Sequence, residues 1–127
     1  MAEINHTIIQ LSRQMFEKTC RFAVDNNIFD RGINDMNINI SPIQCQDKHL
    51  VQDLKKIAAK YGIPFERFHF EITESRLTDE KAVRETLTKL KENGAKIALD
   101  DFGTGYSNIA SIMLMPIDFV KIDQSLL

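Results

Sequence analysis

Four polar side chains of the kinds that bind cations or phosphates recur along the sequence, in the order Asn39, Glu71, Asp100 and Lys121. Each falls near the carboxyl end of a predicted strand, at steps of very roughly 20 to 30 residues, the size of one strand-helix repeat. Because the carboxyl ends of parallel strands meet at one edge of a sheet, these groups could converge in space. Carboxylate and amide oxygens suit a hard cation such as Mg²⁺ or Mn²⁺, and the sequence has no Cys/His cluster suited to zinc.

Asp101 follows Asp100 directly, so strict alternation along a strand would send it to the opposite side unless the strand has already ended. The FGTG segment at 102–105 favours such a turn, because glycine allows left-handed backbone angles. Adjacent acids at a strand end can serve two nearby metal ions, as the hydrolysis of phosphodiesters often requires. An acidic pair by itself fits a solvated loop equally well.

Helices and strands must position these side chains. Apolar residues at three- and four-residue spacing predict helices at about 7–25, 50–61 and 82–90. Gly62 and Asn93-Gly94 would end the second and third helices, and Asp79 is placed to cap the start of the third. Two-residue alternation predicts strands at 36–41, 68–73, 95–101 and 119–123. Strand and helix alternate throughout, which predicts an α/β fold with parallel strands and right-handed crossovers.

Each predicted strand has an apolar side and a polar side. The apolar side should face the helices and consists of Ile38, Ile40, Phe68, Phe70, Ile72, Ile97, Leu99, Val120 and Ile122. The polar side consists of Asn39, Ser41, His69, Glu71, Thr73, Asp100, Lys121 and Asp123. Parallel sheets usually bury apolar residues on both faces. Either this polar face meets water beside a single helical layer, or it lines the mouth of a barrel where chemistry happens, as in TIM barrels.

Composition is that of an ordinary globular domain: 127 residues, 43% hydrophobic and 27% charged. The net charge of −2 gives no general attraction to a nucleic acid polymer or to anionic lipid. The sequence has no basic-then-apolar leader and no apolar run near the roughly 18 residues that span a bilayer, so we expect a cytoplasmic chain. Cys20 and Cys45 lack metal-ligand spacing and are expected to be reduced packing residues.

A specific resemblance rests on several short motifs in a fixed order. Residues 100–107 read DDFGTGYS, preceded by NIS at 39–41 and EITES at 71–75, and followed by PID at 116–118 and KID at 121–123. This order and spacing resemble the EAL domain family over essentially the whole chain. The resemblance implies a TIM-like (βα) barrel that hydrolyses cyclic-di-GMP to linear pGpG with two Mg²⁺ or Mn²⁺ ions.

The resemblance also implies roles for individual residues. Asn39 and Glu71 would be ligands of the first metal, Asp100 would bind metal at the shared site, and Asp101 would serve the second metal. Lys121 would contact the attacking water or the phosphate, so Lys121 and Asp101 are the candidate catalytic residues. Glu74 would anchor the loop linked to dimerisation and metal loading, which comprises Phe102, Gly103, Thr104, Gly105, Tyr106 and Ser107. Without the resemblance, Glu74 could be only an acid at the approach to the next helix, and Lys121 a lysine that closes a solvated sheet.

The sequence departs from the family pattern at both ends. The strand that carries the Glu-Ala-Leu motif would precede residue 2, and further strands with other site residues would follow residue 127. A barrel of this class needs about 250 residues, so we expect residues 1–127 to form a partial EAL domain with roughly four parallel strands. Open sheet edges predict self-association, and the incomplete ligand set predicts weak or absent hydrolysis. The alternative is a non-catalytic module that binds the nucleotide or acts in dimerisation and regulation.

Overall fold

The computed structural model describes residues 2–73, 80–102, 113 and 115–122, and among these it describes the side chains of 7–72, 81–100, 113 and 115–121. The helices are α1 (Ala2–Asp25), α2 (Pro42–Cys45), α3 (Leu50–Lys60) and α4 (Glu80–Glu92). The strands are β1 (Met36–Asn39), β2 (Phe68–Thr73), β3 (Lys96–Phe102) and β4 (Phe119–Ile122), and a 3₁₀ turn at Phe65–Arg67 leads into β2. No helix within these described ranges is long and apolar enough to cross a membrane.

The four strands form one sheet in the order β1-β2-β3-β4, and every neighbouring pair is parallel. Within the described residues, helices separate β1 from β2 and β2 from β3, as parallel neighbours require. The predicted fold class is therefore confirmed: four parallel strands with alternating helices, the arrangement of about half of a TIM-like α/β barrel.

The three long helices bury apolar residues at three- and four-residue spacing, as predicted. The buried positions are Phe16, Cys20 and Ala23 of α1, Leu50, Leu54 and Ala58 of α3, and Val83, Leu87 and Leu90 of α4. They pack in one cluster with the apolar side of the sheet. Burying each large side chain contributes on the order of 1.5 to 3 kcal/mol.

Four aromatic rings lie at the centre of this cluster: Phe16 of α1, Phe65 of the 3₁₀ turn, and Phe68 and Phe70 of β2. The Phe16 and Phe68 ring centroids are 5.0 Å apart, and Phe65 lies 5.7 Å from both strand rings. Tilted pairs at such distances add a modest electrostatic attraction to the hydrophobic gain. Helix α1 and strand β2 are thereby fixed to each other, which sets the direction of the polar side chains on the other face of β2.

The same hydrogen-bond motif ends each long helix. After α3, Gly62 takes a φ of 68° and donates to Ala59, while Ile63 donates to Ala58. Gly94 does the same after α4 at a φ of 104°, and Asn27 does so after α1 at a φ of 49°. These are Schellman motifs, in which a left-handed residue satisfies the last carbonyl groups of the helix. The helix ends predicted at Gly62 and Gly94 are confirmed, whereas the predicted cap Asp79 lies outside the described residues.

One short helix was not predicted. Ser41, expected to be the last residue of the first strand, is instead the N-cap of α2, and β1 ends at Asn39. The Ser41 hydroxyl accepts a hydrogen bond from the Gln44 backbone N–H at 3.3 Å, and the Gln44 side chain accepts one from the Ser41 backbone N–H at 2.9 Å. This capping box satisfies two donors that the helix start leaves open, and it turns the chain away from the sheet after Ile40, whose N–H still donates to the Glu71 carbonyl.

Candidate functional site

The strand register sets Asn39 beside Glu71. Asn39 pairs with Glu71 across β1 and β2, and Glu71 pairs with Ala98 across β2 and β3. Paired residues on adjacent strands point to the same side of a sheet and lie about 4.8 Å apart in their backbones. Thr73 pairs with Asp100, so Asp100 lies one side-chain layer further toward the carboxyl ends of the strands.

Glu71 is a nearly buried carboxylate, with 8% of its surface exposed. Its chain neighbours Phe70 and Ile72 are buried on the opposite, helix-covered side of β2. The carboxylate contacts the ammonium group of Lys121, which comes from β4, two strands away. A buried carboxylate needs a partner of opposite charge, and Lys121 is that partner.

Ala98 provides the room for this contact. It lies in register with Glu71 on one side and with Phe119 on the other, and Lys121 comes two residues after Phe119 in β4. A methyl group is small enough to let the Lys121 side chain cross β3, a span of about 10 Å between second-neighbour strands. Ala98 was not predicted as a site residue, and its signal in the sequence is a small residue on the predicted polar side of its strand.

Asp100 and Asp101 lie at a break in the register between β3 and β4. Leu99 pairs with Val120 and Phe102 pairs with Ile122, so two residues of β3 stand opposite the single residue Lys121. The predicted strand at 95–101 ends at the adjacent acids, with a turn expected over residues 102–105. Instead β3 continues through Phe102 and carries a β-bulge, a feature that redirects side chains near active sites.

A double link holds the start of β4 against β3. The Asp118 backbone N–H donates to the Ile97 carbonyl, and the Ile97 N–H donates to Asp118 Oδ2, both at 2.8 Å. Asp118 Oδ1 also lies 3.0 Å from the Lys91 ammonium group of α4. Partial burial raises the pKa of Asp118, but the Ile97 hydrogen bond and the charges of Lys91 and Lys96 outweigh it, so the pKa is lowered overall. Lys121 lies three residues further along the chain, so this link also fixes the position of Lys121.

The amino-terminal side of the same sheet face holds an aromatic contact between His69 and Phe119, with Lys96 beside it. The His69 ring lies 5.4 Å from the Phe119 ring, and Lys96 Nζ lies 5.7 Å from the centre of that ring. His69 Nε2 is 3.4 Å from Asp35 Oδ1 but makes no hydrogen bond. His69 is thus a packed strand residue. The polar groups suited to phosphate chemistry lie at the carboxyl end.

The predicted site residues divide into those whose positions are described and those outside the described residues. Asn39, Glu71 and Lys121 come together on one side of the sheet. Asp100 lies one side-chain layer further toward the carboxyl ends of the strands. Glu74, the side chains of Asp101 and Phe102, and the loop residues Gly103, Thr104, Gly105, Tyr106 and Ser107 lie outside the described part of the chain.

The neighbouring side-chain oxygens of Asn39 and Glu71 are of the chemical type that a hard divalent cation prefers as ligands. The ammonium group already held by Glu71 marks a place where positive charge is stabilised. Among the described side chains, no three His, Cys, Asp or Glu residues lie close enough to hold a metal by themselves. A metal here would therefore depend on amide oxygen and on groups such as Asp101.

Known proteins share the sequence of this chain over most of its length. The sequence profile described as "EAL domain" matches residues 1–127. The signaling protein YkoW of Bacillus subtilis is 34% identical over 127 residues, which cover 98% of this chain and 16% of that protein. The cyclic di-GMP phosphodiesterase PdeF of Escherichia coli is 36% identical over 112 residues, which cover 87% of this chain and 15% of that protein.

Solved structures give the same result. The EAL domain of Mycobacterium smegmatis DcpA superposes with a TM-score of 0.75 at 32% identity, covering 93% of this chain and 54% of that one. The PaMucR phosphodiesterase in complex with c-di-GMP superposes with a TM-score of 0.79 at 26% identity, covering 98% of this chain and 54% of that one. The chain thus spans about half the length of these solved proteins and a smaller share of its curated relatives.

Proposed function

The chain belongs to the EAL domain family, and from this premise we propose that it contributes part of a metal-dependent site that hydrolyses cyclic-di-GMP to linear pGpG. The observation that carries the proposal is the contact of Lys121 with Glu71 across β3, with Asn39 in register beside Glu71. Three groups from three strands thereby meet on one side of the sheet. A carboxylate that can bind a cation, beside a partly exposed ammonium group, is suited to a phosphodiester substrate.

The metal ligands in this proposal are Asn39, Glu71, Asp100 and Asp101, and the ions are Mg²⁺ or Mn²⁺. Two such ions, when bound, would lower the pKa of a water molecule and offset the charge of the phosphate. The contribution of Glu71 is a carboxylate whose position is fixed by a buried strand. The β-bulge falls at Asp100 and Asp101, and bulges are over-represented beside active sites, which supports a role for both acids.

Lys121 is the proposed phosphate-facing residue. Its side chain is 45% exposed, so its ammonium group is within reach of a dissolved anion as well as of Glu71. A cation at this position offsets negative charge that develops as the phosphodiester bond breaks. By family resemblance we further propose that Glu74 anchors the loop at 102–107 and that this loop acts in dimerisation and metal loading.

The proposed domain is a partial one, because the relatives of known structure are about twice as long as the stretch they share with this chain. We propose that the remaining site residues lie outside residues 1–127 and that the isolated chain hydrolyses cyclic-di-GMP weakly or not at all. The substrate is a small anion in solution, and the proposed place of action is the cytoplasm.

The test is cyclic-di-GMP binding and pGpG formation by the purified chain, with and without excess Mg²⁺ or Mn²⁺. We expect binding that depends on the metal and is lost in Asp100→Ala and Glu71→Gln, with turnover near background. Glu92→Ala is the matched control, since it removes an exposed acid of α4.

Each departure from that result has a distinct meaning. Equal binding by Asp100→Ala and the unchanged chain would contradict the proposed ligand set. Fast turnover abolished by Asp100→Ala would show that the expected inactivity is wrong. Metal-independent binding without turnover would favour a nucleotide-binding module instead.

A further inference from the structure

The position of Lys121 has a consequence for how a metal ion reaches Glu71. The nearly buried Glu71 carboxylate already has a positive partner in the Lys121 ammonium group, and that partner is itself 45% exposed. A divalent cation bound by Glu71 would bring two positive charges onto one carboxylate. Two positive charges held a few ångströms apart on one nearly buried carboxylate repel each other, because water screens them less there than in bulk solvent.

We infer that Lys121 is an internal counter-ion that competes with the divalent metal for Glu71, and that metal binding releases its ammonium group to face the phosphate. This inference rests on the proposed function, whose metal-binding and phosphate-facing residues it links. Before metal binds, the charge of Lys121 is neutralised by Glu71 and attracts an anion weakly. After metal binds, the same charge is free on the half-exposed side of the sheet.

Two features make the exchange feasible without rearranging the fold. The long Lys121 side chain has four rotatable bonds and keeps access to water, so it can leave Glu71 while its strand stays in place. Glu71 lies on a strand whose opposite side is buried among the core residues, so the carboxylate itself has little freedom to move. The mobile partner of the pair is therefore the lysine.

Linkage requires the exchange to act in both directions. If metal binding frees Lys121 for the anion, then a bound phosphate that holds Lys121 strengthens metal binding by the same factor. The pair Lys121 and Glu71 would thus couple metal loading to substrate binding. Lys121 acts on the metal through Glu71 in this scheme, which makes it a positioning residue for metal loading in addition to its proposed contact with phosphate.

The experiment measures Mn²⁺ affinity by calorimetry in the absence of nucleotide, so it does not depend on activity. We expect Lys121→Met to bind Mn²⁺ about tenfold more tightly than the unchanged chain, a factor within the usual range of coupling between sites. Lys121→Arg keeps a cation beside Glu71 and should stay within about twofold of the unchanged chain.

Lys96→Met is the matched control for the loss of one charge. Lys96 belongs to β3 in the same sheet and contacts the Phe119 ring, and Lys96→Met should alter Mn²⁺ affinity by less than about twofold. Circular dichroism checks that each variant is folded, and Lys121→Gln, which keeps a hydrogen-bond donor for Glu71, replaces Lys121→Met should the latter fail to fold.

The outcomes separate this inference from the proposed function. If the unchanged chain binds Mn²⁺ and both Lys121→Met and Lys121→Gln bind it equally or more weakly, the competition alone is overturned. An equal gain in Lys96→Met would reduce the effect to net charge and would also overturn it. Absence of Mn²⁺ binding in every variant, or equal binding by Glu71→Gln, would overturn the metal site itself and the inference with it.

Discussion

Asp118 and Ile97 are joined by two hydrogen bonds of 2.8 Å, one from each backbone N–H, at the point where β4 begins beside β3. Strand β4 has only four residues and lies at the edge of the described sheet, so few other backbone bonds hold it. Lys121 can contact Glu71 only while this short strand keeps its position. The link between Asp118 and Ile97 thus helps to keep the contact between Lys121 and Glu71 in place.

The first prediction concerns acid stability. The pKa of Asp118 is lowered by the fold from its ordinary value of 3.8, so its ionised form stabilises the folded chain. That contribution is fully present above the ordinary pKa and is lost as the pH falls through the lowered one.

The measurement is urea unfolding of the unchanged chain and of Asp118→Asn between about pH 6 and pH 2. We expect the unchanged chain to be more stable by at most about 1 kcal/mol near neutral pH, because the carboxylate is partly exposed to solvent. The difference should vanish at the acid end. A difference that stays constant over the whole range would contradict the assigned charge effect.

The second prediction concerns the space over Ala98. In Ala98→Leu the larger side chain would fill the path that Lys121 takes to Glu71, and overpacking a site that is 2% exposed costs about 1 to 3 kcal/mol. We expect a lower melting temperature together with altered Mn²⁺ binding, since the carboxylate loses its partner.

Ala98→Ser keeps the size of the side chain and serves as the control. Thermal unfolding and calorimetry compare the three proteins under the same conditions. If Ala98→Leu matched the unchanged chain in both measurements, that result would contradict the path of Lys121 over Ala98.

The third prediction concerns the two cysteines, which are both reduced and buried, as expected from the sequence. Burial, together with the nearby charge of Glu17, raises the pKa of the Cys20 thiol to about 12. The reactive thiolate form is therefore scarce at neutral pH. We expect a disulfide reagent to label Cys20 and Cys45 only as fast as the chain opens.

Labelling rates at increasing urea concentration test this expectation, with a small cysteine peptide as the reference. The rates should rise in step with the unfolded fraction. A thiol that reacted in the folded chain as fast as the peptide would contradict the buried position of that residue.

Local periodicity in the sequence was sufficient to predict most of the fold. The buried stripe of α3 and the glycine that ends it lie within a dozen residues, and the strand at Phe68–Thr73 has the bounds that its alternation predicts. The strand pattern also correctly grouped Asn39, Glu71 and Lys121 on one side of the sheet. These features depend on neighbours in the chain, so the sequence alone reveals them.

The features that were missed depend on residues far apart in the sequence. The bulge at Asp100 exists only because β3 pairs with β4 in a shifted register, and no pattern within β3 indicates it. The role of Ala98 likewise requires knowing that Glu71 and Phe119 flank it. Ser41 continued the alternation of its strand but formed a capping box with Gln44, a local competitor that the period-two pattern concealed.

The fourth prediction is self-association through the two edges of the described sheet. Strands β1 and β4 each pair on one side only within the described residues. Phe119 and Val120 of β4 are 43% and 48% exposed, so apolar surface accompanies the unpaired backbone groups there. On the β1 side, Leu11 and Met15 of α1 line a cavity of about 430 Å³ next to the strand. Exposed edges with apolar surface favour pairing with another chain.

Sedimentation velocity at rising protein concentration should therefore detect dimers or larger species of the unchanged chain. Val120→Lys adds a charge to the β4 edge, a change that blocks strand pairing in natural sheets, and should shift the distribution toward monomer. Phe22→Lys is the matched control, because Phe22 is 62% exposed on α1 and belongs to neither strand edge. A monomer at every concentration would refute the prediction. An equal shift in both variants would assign the association to general hydrophobicity, and only a larger effect of Val120→Lys would identify the β4 edge as the contact.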